Sequence, residues 1–180
     1  MMSHPWGHSG RILMLAPVST VAEAVAAAAA GASLVDVGDQ DELIPVIRDT
    51  ARDLRISGRR AGADIVRDAT LAARTGAGLI CPDPDAAARA VRCGVTAERI
   101  VVAAGPAGMA AAVGSGWAVL VDVDEGADSP AGAEAVAAVC TWLGASVIRT
   151  RYVAGVRRSV DMTASILGRR RPAWTLRGLA

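Results

Sequence analysis

Phenylalanine is absent from this chain of 180 residues, and aromatics together make up only 3% of it. A core without rings must be filled by Ala, Val, Leu and Ile. The hydrophobic fraction of 52% is enough to do so and excludes a disordered chain. Histidine is scarce: His4 and His8 stand together in a polar leader, so the body of the chain lacks an imidazole base. The three cysteines, Cys81, Cys93 and Cys140, are odd in number and form no C-x-x-C pair. That excludes a disulfide framework and fits reduced, buried thiols in a cytosolic protein. No stretch reaches the roughly 18 apolar residues of a membrane helix. The first apolar run, Ile12 to Val18, is too short for a signal peptide and soon meets Glu23. The formal net charge of +1 argues against a dedicated nucleic-acid surface. The expectation is a cytoplasmic protein without nucleic-acid or membrane partners.

What is present is regular. Short β-rich runs alternate with Ala-rich helical stretches, and glycine often closes a helix before the next strand. Seven strands can be read, around Ile12–Leu15, Ser33–Val37, Arg55–Ser57, Gly78–Cys81, Arg99–Ala103, Trp117–Val123 and Ser146–Thr150. Helices are expected over Val21–Ala30, Asp41–Asp53, Ala63–Arg74, from a cap at Asp83 or Asp85 through Arg92, and over Pro106–Val113, Ala131–Leu143 and Val156–Leu167. Strict alternation with apolar strands means a parallel sheet covered by helices. The spacing suits a TIM-like (β/α) barrel of parallel strands. It is expected to be incomplete, with about seven units where a full barrel has eight. The expected organisation is a disordered leader over 1–10, the barrel over 11–168, and a basic tail over 169–180. Trp117 and Trp142 lie on core-like segments and are expected to pack inside.

Neither a Walker A nor a G-x-G-x-x-G motif follows a strand, which removes the main sequence support for the two commonest nucleotide-binding loops. Gly105-Pro106-Ala107-Gly108 reads as a turn into a helix.

Four segments carry a more specific signal. Gly31-Ala32-Ser33-Leu34-Val35-Asp36-Val37-Gly38 resembles the second-strand signature of the dihydropteroate synthases, G-A-x-I-I-D-V-G-G-E-S. Ile12 to Ser19 is similar to their first-strand motif, I-L-N-V-T-P-D-S. Cys93 to Val102 resembles the approach to their D-P-G strand. Gly144 to Arg151 resembles their final G-A-x-I-I-R-V-H. The order agrees over roughly residues 11–168, skipping one family strand between Cys81 and Arg99. The resemblance implies a pterin-binding barrel of folate biosynthesis, whose members join a dihydropterin pyrophosphate to 4-aminobenzoate.

The departures from those motifs carry as much weight. The family's first-strand Asn, which helps to hold magnesium, aligns with Met14, and a thioether is a poor ligand for a hard cation. The Asp of S-V-D-T aligns near Arg59, the fourth-strand Asn with Cys81, and the Asp of D-P-G with Ala103. The S-R-K cations align with Asp122-Val123-Asp124, and the final His with Arg151. What persists is Ser19, Asp36, Gly38 and Arg149. The expected substrate-binding residues are therefore Asp36, Arg149, Arg151 and Ser19, with no catalytic residue, no cofactor and no metal. Arg149 and Arg151 would share a strand face and clamp a phosphate or carboxylate. The alternative is that they pair with Asp122 or Asp124.

Two functions follow from this reading. One is a catalytically deficient homologue that binds a pterin or a phosphate-containing small molecule. The other is a non-enzymatic partner, a homodimer or a heteromer with a true synthase. A missing barrel unit would expose sheet edges, which favours association in either case.

Overall fold

The computed structural model describes Trp6 and residues 11–169. The expected leader and tail otherwise lie outside the described residues. Eight parallel strands close into a barrel in sequence order. In chain order the elements are β1 (Leu13–Pro17), α1 (Val21–Ala29), β2 (Leu34–Asp36), α2 (Leu43–Thr50), β3 (Arg55–Ser57) and β4 (Ile65–Val66). Then come α3 (Ala69–Thr75), β5 (Gly78–Cys81), α4 (Pro84–Arg92), β6 (Ile100–Ala104) and α5 (Met109–Gly114). The chain continues through β7 (Ala118–Asp122), α6 (Pro130–Leu143), β8 (Val147–Arg149) and α7 (Val153–Ile166).

The parallel (β/α) barrel expected from the alternation is therefore present, with one correction. It is complete and closed. The count of seven holds for the α-helices, but β3 runs into β4 through a loop with no α-helix between them. The unread strand is β4, inside the stretch expected to be a helix over Ala63–Arg74. It also lies before Cys81, not between Cys81 and Arg99. Closure removes the exposed sheet edges that had favoured association.

Helix starts follow from local chemistry. Thr20, Asp68, Asp83 and Ser129 each accept a hydrogen bond from a backbone N–H in the first turn of α1, α3, α4 and α6. Pro84 and Pro130 then fix φ where no N–H is needed. Gly144 ends α6 in the left-handed region at φ 109°.

Pair register sorts the barrel interior into layers, each drawn from alternate strands. The lowest is Leu13, Arg55, Gly78 and Ala118. Above it stand Leu34, Ile65, Val101 and Val147, and then Leu15, Ser57, Ile80 and Leu120. Most of these side chains form one buried cluster, which Trp6 joins from the leader. The outer faces of the strands pack against the helices. Cys81 lies there under α3 and α4. Desolvation pushes the Cys81 thiol above its ordinary range, the nearby Asp83 carboxylate adds to this, and Arg89 opposes it. Burial also pushes the Cys140 thiol up. Neither is poised as a thiolate nucleophile.

Among the described residues, no helix is long and apolar enough to cross a membrane. Trp117 packs against the core as expected, whereas Trp142 is 58% exposed on the outer face of α6.

Candidate functional site at the barrel mouth

The fourth interior layer is where the barrel changes character. Strand alternation brings Asp36, Arg67, Ala103 and Arg149 to the C-terminal ends of β2, β4, β6 and β8. Asp122, register partner of Arg149, closes the group from β7. Beneath lies a floor of Leu15, Ile80 and Leu120, with Ser57 as its polar member.

The charges form one chain across this mouth. Asp36 is 4% exposed. It accepts two hydrogen bonds from Arg67, Nη2 to Oδ2 at 2.9 Å and Nη1 to Oδ1 at 3.4 Å. The Nε of Arg149 stands 3.6 Å from the same Oδ2. Arg149 then donates through Nη1 to Asp122 Oδ2. The order is cation, anion, cation, anion. Asp122 Oδ1 also accepts the backbone N–H of Asp124 at 3.0 Å, which holds the turn after β7.

Asp124 belongs to a second cluster beside the first. Its carboxylate accepts from Thr150 Oγ1 at 2.6 Å, from the Arg151 backbone N–H at 2.9 Å and from Arg151 Nε at 3.2 Å. Arg151 lies past the end of β8, so the strand alternation no longer governs it. It is exposed, sits over the Tyr152 ring at 5.3 Å, and lines a cavity of about 620 Å³ between α1 and α7, outside the barrel.

Of the four residues expected to bind substrate, the structure thus joins Asp36 and Arg149. Arg151 takes a different partner and faces a different hollow. The exposed Ser19 uses its backbone N–H to donate to Glu23 Oε2 at 2.6 Å, securing the start of α1. The expected alternative pairing, Arg149 with Asp122 and Arg151 with Asp124, is the geometry observed.

Other aligned positions fall where their neighbours dictate. Met14 is fully buried on the outer face of β1, among Val119, Val121, Ile148 and Val156, and does not reach the mouth. Cys81 likewise points to the helices. Arg59 is an exposed loop residue paired with Asp39. Ala103 does face the interior, so a methyl group stands where a carboxylate was missing from the motif.

Two mouth residues escaped the sequence reading. Arg67 follows the unread strand β4, and the β-branched pair Ile65-Val66 before it was the available signal. Ser57 is fully buried, and its hydroxyl has no hydrogen-bond partner. Among the described residues, no group of three or more His, Cys, Asp or Glu side chains is placed to hold a metal ion.

The barrel's fold is shared with known structures. Mycobacterium tuberculosis Rv1207 superposes with a TM-score of 0.77 at 29% identity, covering 91% of this chain and 94% of that one. The dihydropteroate synthase of Yersinia pestis matches with a TM-score of 0.73 at 17% identity, over 88% and 93% of the two chains. The chain has the dihydropteroate synthase fold. A Coxiella burnetii dihydropteroate synthase solved with pteroic acid repeats the match, with a TM-score of 0.73 at 15% identity over 87% and 93%. No family model matches the chain, and neither does any curated protein. Within the fold, the mouth is the end at which (β/α) barrels carry their sites.

Proposed function

We propose that this protein binds a small, pterin-type or anionic molecule at its barrel mouth through Asp36 and Arg149, in the cytoplasm, and does not carry out the condensation associated with the dihydropteroate synthase fold. The observation that carries this reading is the ion-pair chain itself. Displacing pyrophosphate needs cations free to take up the leaving charge. Here Arg149 is shared between Asp36 and Asp122, and Arg67 is spent on Asp36. Ala103 offers no acceptor to the donor edge of a pterin. The residues also do not fit a magnesium ion, because Met14 lies outside the barrel and the mouth carboxylates face guanidinium groups. No step of the proposed function runs through a metal.

A thermal-shift titration with 7,8-dihydropterin, its pyrophosphate and 4-aminobenzoate tests the binding half of this reading. At least one of them should raise Tm, and Arg149→Ala should abolish that shift. Three flat titrations, or a shift untouched by the substitution, would remove the mouth as the site.

One observation favours the second reading, a partner-binding protein. Val139, Trp142 and Leu143 of α6 and Met162 and Ile166 of α7 are all exposed on two adjacent helices. An apolar face of that kind suits self-association or pairing with a related synthase. A strictly monomeric species in light scattering, unchanged by added synthase, would count against it.

A further inference from the structure

We propose that the barrel mouth selects a ligand of balanced charge, an aromatic ring bearing one anionic and one cationic group, and discriminates against polyanions. This rests on the preceding reading that the mouth is a binding site, and it names the ligand class.

The charge count comes first. Along the mouth, Arg67, Asp36, Arg149 and Asp122 sum to zero. The adjacent cluster of Arg151 and Asp124 sums to zero as well. A dianion entering here must draw Arg149 away from Asp122, and it leaves that carboxylate, 15% exposed, facing a like charge. Like charges at close range inside a partly desolvated site are strongly unfavourable. A zwitterion avoids the conflict, because its anionic end meets the open side of Arg149 or Arg67 while its cationic end meets Asp122. Every carboxylate then keeps a cation.

The shape of the mouth gives the rest. Three of its four layer positions carry long or charged side chains, and the fourth, Ala103, carries a methyl group. Beneath that methyl group lie Ile80 and Leu120, an apolar floor that suits the face of a flat ring. Ser57 stands in the same floor, register partner of Asp36 on β3. Its hydroxyl is fully buried and unpartnered, and an unmade hydrogen bond at such a depth is unfavourable. A ligand group at the floor would complete it. Among the described residues, Trp6 Nε1 and Thr141 Oγ1 are also buried without a partner, but neither stands beside Asp36.

Two para-substituted benzoates of similar length and different charge, with a small polyanion beside them, test the idea. They are 4-(aminomethyl)benzoate, a zwitterion at neutral pH, terephthalate, a dianion, and inorganic pyrophosphate. Isothermal titration in about 0.15 M salt keeps surface attraction screened. The zwitterion should bind wild-type protein about ten-fold more tightly than terephthalate or pyrophosphate. Asp122→Asn should release Arg149 and narrow or reverse that order. Ser57→Ala should weaken the zwitterion several-fold while leaving Tm unchanged or higher, since it removes a buried, unpaired hydroxyl.

Equal or tighter binding of either polyanion by wild-type protein would overturn the inference. If that binding disappears in Arg149→Ala, the mouth would still stand as a site. Absence of binding by every probe would also overturn the inference, while the dihydropterin titration decides the broader reading separately. The wild-type ranking needs no variant to fold.

Discussion

Replacing Trp6 with alanine is expected to lower stability by about 3–5 kcal/mol, the usual cost of deleting a large buried ring. The reason lies in the barrel interior. Trp6 is 4% exposed and packs into the cluster of interior strand residues that includes Leu13, Leu34, Ile65 and Val147. It is the one aromatic ring in that cluster. Its indole N–H has no partner, so the substitution removes packing without breaking a hydrogen bond. Thermal unfolding followed by circular dichroism should show a Tm fall on the order of 10 °C. A fall within 2 °C would mean that the interior cluster is not held by this ring. Leucine at the same position should recover part of the loss.

Asp36→Ala is expected to cost about 2 kcal/mol and to abolish ligand binding at the mouth. The buried carboxylate is held by two charge-assisted hydrogen bonds from Arg67 and lies beside Arg149. Bonds of this type contribute roughly 1.5–3 kcal/mol. The lower part of that range applies, because the Arg67 and Arg149 side chains are 42% and 31% exposed and water can take over part of their solvation. Asp36→Asn should cost less, since an amide still accepts from one guanidinium. Urea denaturation read as a change in midpoint at constant m-value checks both. A change below about 0.5 kcal/mol for the alanine variant would mean that water replaces the carboxylate completely.

Most of the barrel was legible because its signal is periodic. Apolar strands and Ala-rich helices recur with glycine between them, and Thr20 and Asp83 were among the residues that could cap a helix. β4 was not legible, since two residues make no pattern. It exists because its neighbours supply the ladder. Gly58 N–H donates to Ile65 O at 3.1 Å, and Asp64 N–H to Ile56 O at 2.8 Å. The Asp64 carboxylate adds a bond from Ile56 N–H at 2.9 Å. Losing β4 from the reading lost Arg67 with it, and so hid the partner of Asp36.

The candidate site was half legible for a related reason. Asp36 and Arg149 stand on well-formed strands, where alternation predicts direction. Arg151 stands two residues further, past the last ladder bond, where alternation has stopped. Met14 was aligned by motif to the mouth, but its neighbours Leu13 and Leu15 face inward and therefore force it outward. Register places a side chain, and a motif alone does not supply register.

Pyrophosphate release from 7,8-dihydropterin pyrophosphate and 4-aminobenzoate tests the central claim most directly. With the mouth cations tied to Asp36 and Asp122, the protein should release none above a protein-free blank. Steady release that requires both substrates and is lost in Arg149→Ala would contradict the account and make this barrel a working synthase.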